Sequence, residues 1–109
     1  MENEFVPGAK VGEMAPGDLK LVEARGQMVA LANVDGQHYA FGDTCTHMEC
    51  SLSDGNLEGD VVECPCHGSQ FNVRTGAVED GPAQQPVPVY AVRIQGQDIL
   101  IGPKKAGPA

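Results

Sequence analysis

A cysteine is followed closely by a histidine twice in this chain, in Cys45-Thr46-His47 and in Cys64-Pro65-Cys66-His67. Sixteen residues lie between His47 and Cys64. Thiolates are soft, anionic donors that stabilise ferric iron, and imidazoles are neutral donors. Two of each, carried on two loops, suit a two-iron, two-sulfide centre with the cysteines on one iron and the histidines on the other. Replacing two thiolates by imidazoles removes two negative charges, so an added electron is accepted more readily. The potential rises from about −400 mV for all-cysteine plant-type centres into a window of about −150 to +300 mV. One intervening residue in the first segment and two in the second let each segment serve both irons. Two Cys with two His is also a structural zinc set. Zinc-finger spacing, however, groups the cysteines and then the histidines, whereas each loop here carries one of each. The pattern favours iron and sulfide, with Cys45, His47, Cys64 and His67 as ligands.

Such loops need a scaffold of short elements. Fourteen Gly and eight Pro are spread through 109 residues and cut the chain into short pieces. Residues 11–14 read as a segment followed by a turn at 15–18. Residues 19–24 alternate as a strand, 25–27 turn, and 28–34 are apolar and β-rich. Asp35-Gly36 is a hairpin signal, with 38–41 as the returning strand. Residues 42–60 have no regular period and hold the first ligand segment. A short strand at 61–63 leads into Cys64. Residues 71–73 and 77–79 form a small hairpin around 74–76. Residues 88–95 and 99–101 close the sheet around a turn at 95–98, and 103–109 read as a flexible tail. Many short strands with turns every eight to twelve residues point to an all-β fold. His38 lies on a strand with no cysteine nearby and reads as a surface histidine.

The length suits one domain, residues 1–109, with one modest core. Fifteen acidic against seven basic residues give a net charge of −8. That excess disfavours nucleic acid and anionic membranes, whose phosphates need Lys and Arg. It suits steering toward a basic docking patch. The start, Met1-Glu2-Asn3-Glu4, is acidic where a signal peptide is basic. No run of about 18 apolar residues is present. A cytoplasmic monomer without membrane contact is expected.

The two ligand segments, Cys45-Thr46-His47-Met48-Glu49-Cys50 and Cys64-Pro65-Cys66-His67-Gly68-Ser69-Gln70-Phe71, resemble the cluster loops of Rieske proteins. Leu52-Ser53-Asp54-Gly55 and Gly59-Asp60-Val61-Val62-Glu63 are similar to the inter-loop segment of soluble Rieske ferredoxins, and Arg74-Thr75-Gly76 and Gly81-Pro82 also match. The resemblance spans about residues 41–101. It implies stacked antiparallel sheets with a cluster-binding subdomain, about 41–82, at one end of a basal part. It also implies that Ser69 bonds a bridging sulfide, which raises the potential. High-potential members carry a tyrosine where this chain has Phe71, so the resemblance implies a potential in the lower half of the window. Pro82, in a third loop at 80–88, would shield the centre from water.

Cys50 and Cys66 are left over from the ligand set, and loops that converge on one centre bring them together. Cytochrome bc-type Rieske proteins have a disulfide at the matching positions, whereas most aromatic-oxygenase ferredoxins do not. A disulfide and a pair of reduced thiols both stay open on the sequence, since a cytosolic chain normally keeps thiols reduced.

The resemblance implies a one-electron carrier with no substrate chemistry of its own. It would take electrons from an NAD(P)H-dependent flavoprotein ferredoxin reductase and pass them to the terminal oxygenase of an aromatic-ring-hydroxylating dioxygenase. Met48 and Pro65 would form an apolar rim for docking, with Glu49 as guide. The competing reading is a small subunit of a larger reductase, such as an assimilatory nitrite reductase. A large exposed apolar face would favour it, and the well-spaced polar positions do not.

Overall fold

The structure, a computed structural model, describes residues 5–24, 26–46, 50–66, 68–81 and 83–105. Ten strands form two antiparallel sheets, and no α-helix occurs among the described residues. The larger sheet holds β1 (Val6–Lys10), β2 (Leu19–Ala24), β3 (Gln27–Val34), β4 (Gln37–Gly42), β9 (Val89–Gln95) and β10 (Asp98–Lys104), in the order β1-β10-β9-β4-β3-β2. The smaller holds β5 (Asn56–Glu58), β6 (Val61–Glu63), β7 (Gln70–Asn72) and β8 (Val78–Asp80), in chain order.

The hairpin between β3 and β4 turns through Asp35 and Gly36, with φ of 52° and 92°. Positive φ at both central residues matches the right-handed twist of the flanking strands, which is why Asp-Gly suits the site. β4 pairs with β9 through Ala40–Tyr90 and Phe41–Val89. The Gly42 N–H donates to the Pro88 carbonyl at 2.8 Å. The chain therefore leaves the larger sheet at Gly42, builds the smaller sheet, and re-enters beside its point of exit. Everything between is an insertion, and both ligand segments lie in it.

Strand β3 is buried on both faces. Val29 and Leu31 pack into the base with Val22, Ile99 and Ile101. Ala30 and Ala32 face the other way, into a core shared with Phe41, Leu52, Val62, Phe71, Val73, Ala83 and Val87. Alternating side chains explain the division. Small alanines on the second face let the inserted sheet pack closely against it.

Two strands have little signal in the sequence. β1 holds Pro7 and Gly8, and its pairing with β10 shifts register between Pro7 and Ala9. Proline is tolerated because β1 is an edge strand. β5 is three residues long within the stretch read as having no regular period, which also holds a 3-10 turn at Leu52–Asp54. The C-terminal end also differs from the expectation. β10 runs through Lys104, and the Lys105 N–H donates to the Val89 carbonyl at 2.8 Å. Residues 103–105 of the expected tail thus belong to the sheet margin, and 106–109 lie outside the described residues.

Candidate metal centre

Both ligand segments are hairpin loops, closed in the same way. In the first, Thr44 and Ser51 form an antiparallel bridge. The Cys45 N–H donates to the Cys50 carbonyl at 2.9 Å, and the Leu52 N–H to the Asp43 carbonyl at 2.7 Å. In the second, β6 and β7 pair as far as Glu63–Gln70. The Cys64 N–H then donates to the Ser69 carbonyl at 2.8 Å. Each loop thus begins at a cysteine bonded to the residue five positions on. Cys45 and Cys64 are 2 % exposed and belong to the core between the sheets.

A disulfide joins the loops, from Cys50 at the end of the first to Cys66 within the second, with Cα atoms 6.4 Å apart. Of the two states left open by the sequence, a disulfide or two reduced thiols, the structure shows the disulfide. The Sγ atoms of Cys50, Cys64 and Cys66 all lie within 4.8 Å of one another. Those three do not make a ligand set, because disulfide sulfurs carry no thiolate charge. The thiols outside the disulfide are Cys45 and Cys64, one at the start of each loop.

A third loop, between β8 and β9, touches the other two. The Ala83 N–H donates to Ser69 Oγ at 3.0 Å. Thr46 Oγ1 donates to the Gln85 carbonyl at 2.6 Å. Ser69 is fully buried, as is Phe71, which pairs with Val62 across β6 and β7. The base of this loop is held at Gly76, where the Val87 N–H donates to the Gly76 carbonyl at 3.0 Å.

Beneath the first loop lies a buried carboxylate, Asp43. It accepts from Ser51 Oγ at 2.5 Å and from the Ser53 N–H at 2.9 Å. A buried polar group is costly unless it is hydrogen-bonded, and these two bonds fix the loop's return path. Sequence reasoning missed Asp43, Thr46, Ala83 and Gln85. An acid beside Gly42 offered a turn signal, but bonds across 39 residues offer none.

His47, Met48, Glu49, His67 and Pro82 lie outside the described residues. Pro65 is exposed. His38 is partly buried rather than fully on the surface. Its Nε2 is buried without a hydrogen-bond partner among the described residues, and burial holds its pKa below the ordinary value. No helix of the described residues is long and apolar enough to cross a membrane.

Two buried thiols at the starts of twin loops, each with a histidine two or three positions on in the sequence, fit the donor set of a mixed Cys/His two-iron centre. Comparison with known proteins agrees. Residues 4–91 match the model of the Rieske [2Fe-2S] domain. The biphenyl dioxygenase ferredoxin subunit of Pseudomonas sp. (strain KKS102) is 47% identical over 98 residues, covering 89% of this chain and 90% of that one. Among solved structures, the carbazole 1,9a-dioxygenase ferredoxin of Nocardioides aromaticivorans IC177 superposes with a TM-score of 0.88 at 32% identity, covering 92% of this chain and 98% of that one. A complex of reduced oxygenase and oxidised ferredoxin in carbazole 1,9a-dioxygenase contains a chain that superposes with a TM-score of 0.89 at 37% identity, covering 94% of this chain and 97% of that one. The chain belongs to the Rieske [2Fe-2S] domain family.

Proposed function

We propose that this chain is the ferredoxin of an aromatic-ring-hydroxylating dioxygenase system. It takes single electrons from an NAD(P)H-dependent flavoprotein reductase and gives them to a terminal oxygenase in the cytoplasm. The observation that carries the reading is the convergence of three loops over two buried thiols, on a fold whose relatives are ferredoxin components of dioxygenases. The bound [2Fe–2S] centre supplies reversible one-electron storage.

The chain's own residues do the rest. Cys45 and Cys64 would hold one iron, and His47 and His67 the other. Burial of both cysteines among apolar side chains keeps water from their sulfurs, and the paired loop closures hold them in place between electron transfers. Ser69 Oγ already accepts from the Ala83 N–H, so its proton is left to donate toward the centre, where it favours the reduced state. Phe71 offers no hydroxyl, which keeps the potential in the lower half of the window for such centres. Pro82 would close the third loop over the site, and Met48, Glu49 and Pro65 would meet the partner.

A stopped-flow experiment tests the role. The purified protein is mixed with NADH and the flavoprotein reductase of a biphenyl dioxygenase system, and its visible absorption is followed. Bleaching on reduction and recovery on adding the terminal oxygenase are expected. Reduction by dithionite without reoxidation by any oxygenase of this class would contradict the assignment of partner.

A further inference from the structure

The Cys50–Cys66 disulfide and Cys64 form a cluster that electron carriage does not explain. The three sulfurs lie within 4.8 Å of one another. A sulfur that close to a disulfide needs only a small loop adjustment to attack it. While iron holds the Cys64 thiolate, attack is blocked.

We infer that loss of the cluster turns these residues into a thiol–disulfide exchange site, which stores the cluster-free chain with Cys64 locked in a Cys50–Cys64 bond and Cys66 as the thiol. The step balances without an added oxidant. The Cys64 thiolate attacks Cys50 Sγ, the Cys50–Cys64 bond forms, the Cys50–Cys66 bond breaks, and Cys66 leaves as a thiolate that takes a proton from water.

Two observations choose this product over a Cys64–Cys66 bond. Cys66 is exposed, Cys50 is half-buried and Cys64 is buried, so the departing Cys66 thiolate is the one that water solvates. Cys64 and Cys66 are also separated by Pro65 alone, whose ring fixes φ, and Cys64 is bonded at its own N–H and carbonyl. A bond across one such residue is strained, whereas Cys50 approaches from the other loop. The exchange removes one ligand from the site, so a cluster-free chain would accept iron and sulfide again only after a dithiol has reduced it.

The inference rests on Cys64 being an iron ligand in the loaded protein. An electron paramagnetic resonance spectrum of the starting sample checks that point separately. For the inference itself, iron is removed from the anaerobic loaded protein with a chelator, and gel filtration carries off released sulfide. The chain is acid-quenched, alkylated in denaturant and mapped by mass spectrometry. Before removal, Cys45 and Cys64 should take the label and Cys50–Cys66 should stay bonded. After it, Cys66 labelling should rise from background to about one per chain while Cys64 labelling disappears. Cys64→Ser should keep the Cys50–Cys66 bond throughout. A cluster-free chain that retains Cys50–Cys66, or that shows any other pairing, overturns the inference.

Discussion

At the scale of single residues, function turns on hydrogen bonds that reach the ligand loops. Ser69 is fully buried and its oxygen accepts from the third loop at Ala83, and in the proposed role its proton is given to the centre. Ser69→Ala should lower the reduction potential by roughly 60–130 mV, because a charge-assisted bond is worth about 1.5–3 kcal/mol and about 59 mV is a tenfold change for one electron. Phe71→Tyr should move it the other way, toward the high-potential members. Protein-film voltammetry reads both, and a Ser69→Ala potential equal to that of the parent would remove the serine from the account. Of the four ligand candidates, Cys45 and Cys64 were legible as the thiols that open the two loops, and the structure buries both, while His47 and His67 lie outside the described residues. Asp43 and Thr46 were not legible, because their roles come from where the folded chain returns.

At the scale of elements, the site depends on how loops are pinned. Gly76 has φ of +83°, and a Cβ there would lie 2.1 Å from the Val87 carbonyl oxygen. Gly76→Ala should therefore cost about 2–3 kcal/mol and lift the base of the third loop. Thermal unfolding checks the cost, and an unchanged Tm would contradict the close approach. His38 supplies a pH signal on β4. Its folded pKa is held down by burial, so the unfolded chain binds the proton first as pH falls. Stability is then full above the ordinary histidine pKa, about 6.5, and declines as pH drops through it toward the lower folded value. Urea midpoints measured from neutral to mildly acid pH should show this decline, and His38→Gln should reduce it. An identical slope in the variant would contradict the assignment. The strands β2, β3 and β6 and the Asp35-Gly36 turn were legible because alternation and turn chemistry are local. β1 was hidden by Pro7 and Gly8, which only an edge position tolerates, and β5 was too short to show a period.

At the scale of the whole molecule, the architecture separates support from chemistry. The β4–β9 pair joins the two halves of the larger sheet beside the exit point of the insertion, and the inserted loops carry two buried thiols and a disulfide. The chain as a whole carries a net charge of −8. Association with the terminal oxygenase should accordingly slow by roughly tenfold between about 0.02 and 0.3 M salt, as screening removes steering. A rate independent of salt would mean that apolar contact alone guides docking. The central claim is narrower: Cys45, His47, Cys64 and His67 hold one [2Fe–2S] centre. Pulsed electron paramagnetic resonance of the dithionite-reduced, ¹⁴N protein tests it most directly. The account requires a one-electron-reduced cluster signal carrying nitrogen couplings from two imidazoles, reduced to one when His47 is replaced by Cys. A signal without nitrogen coupling, or a silent sample that contains zinc, would contradict it.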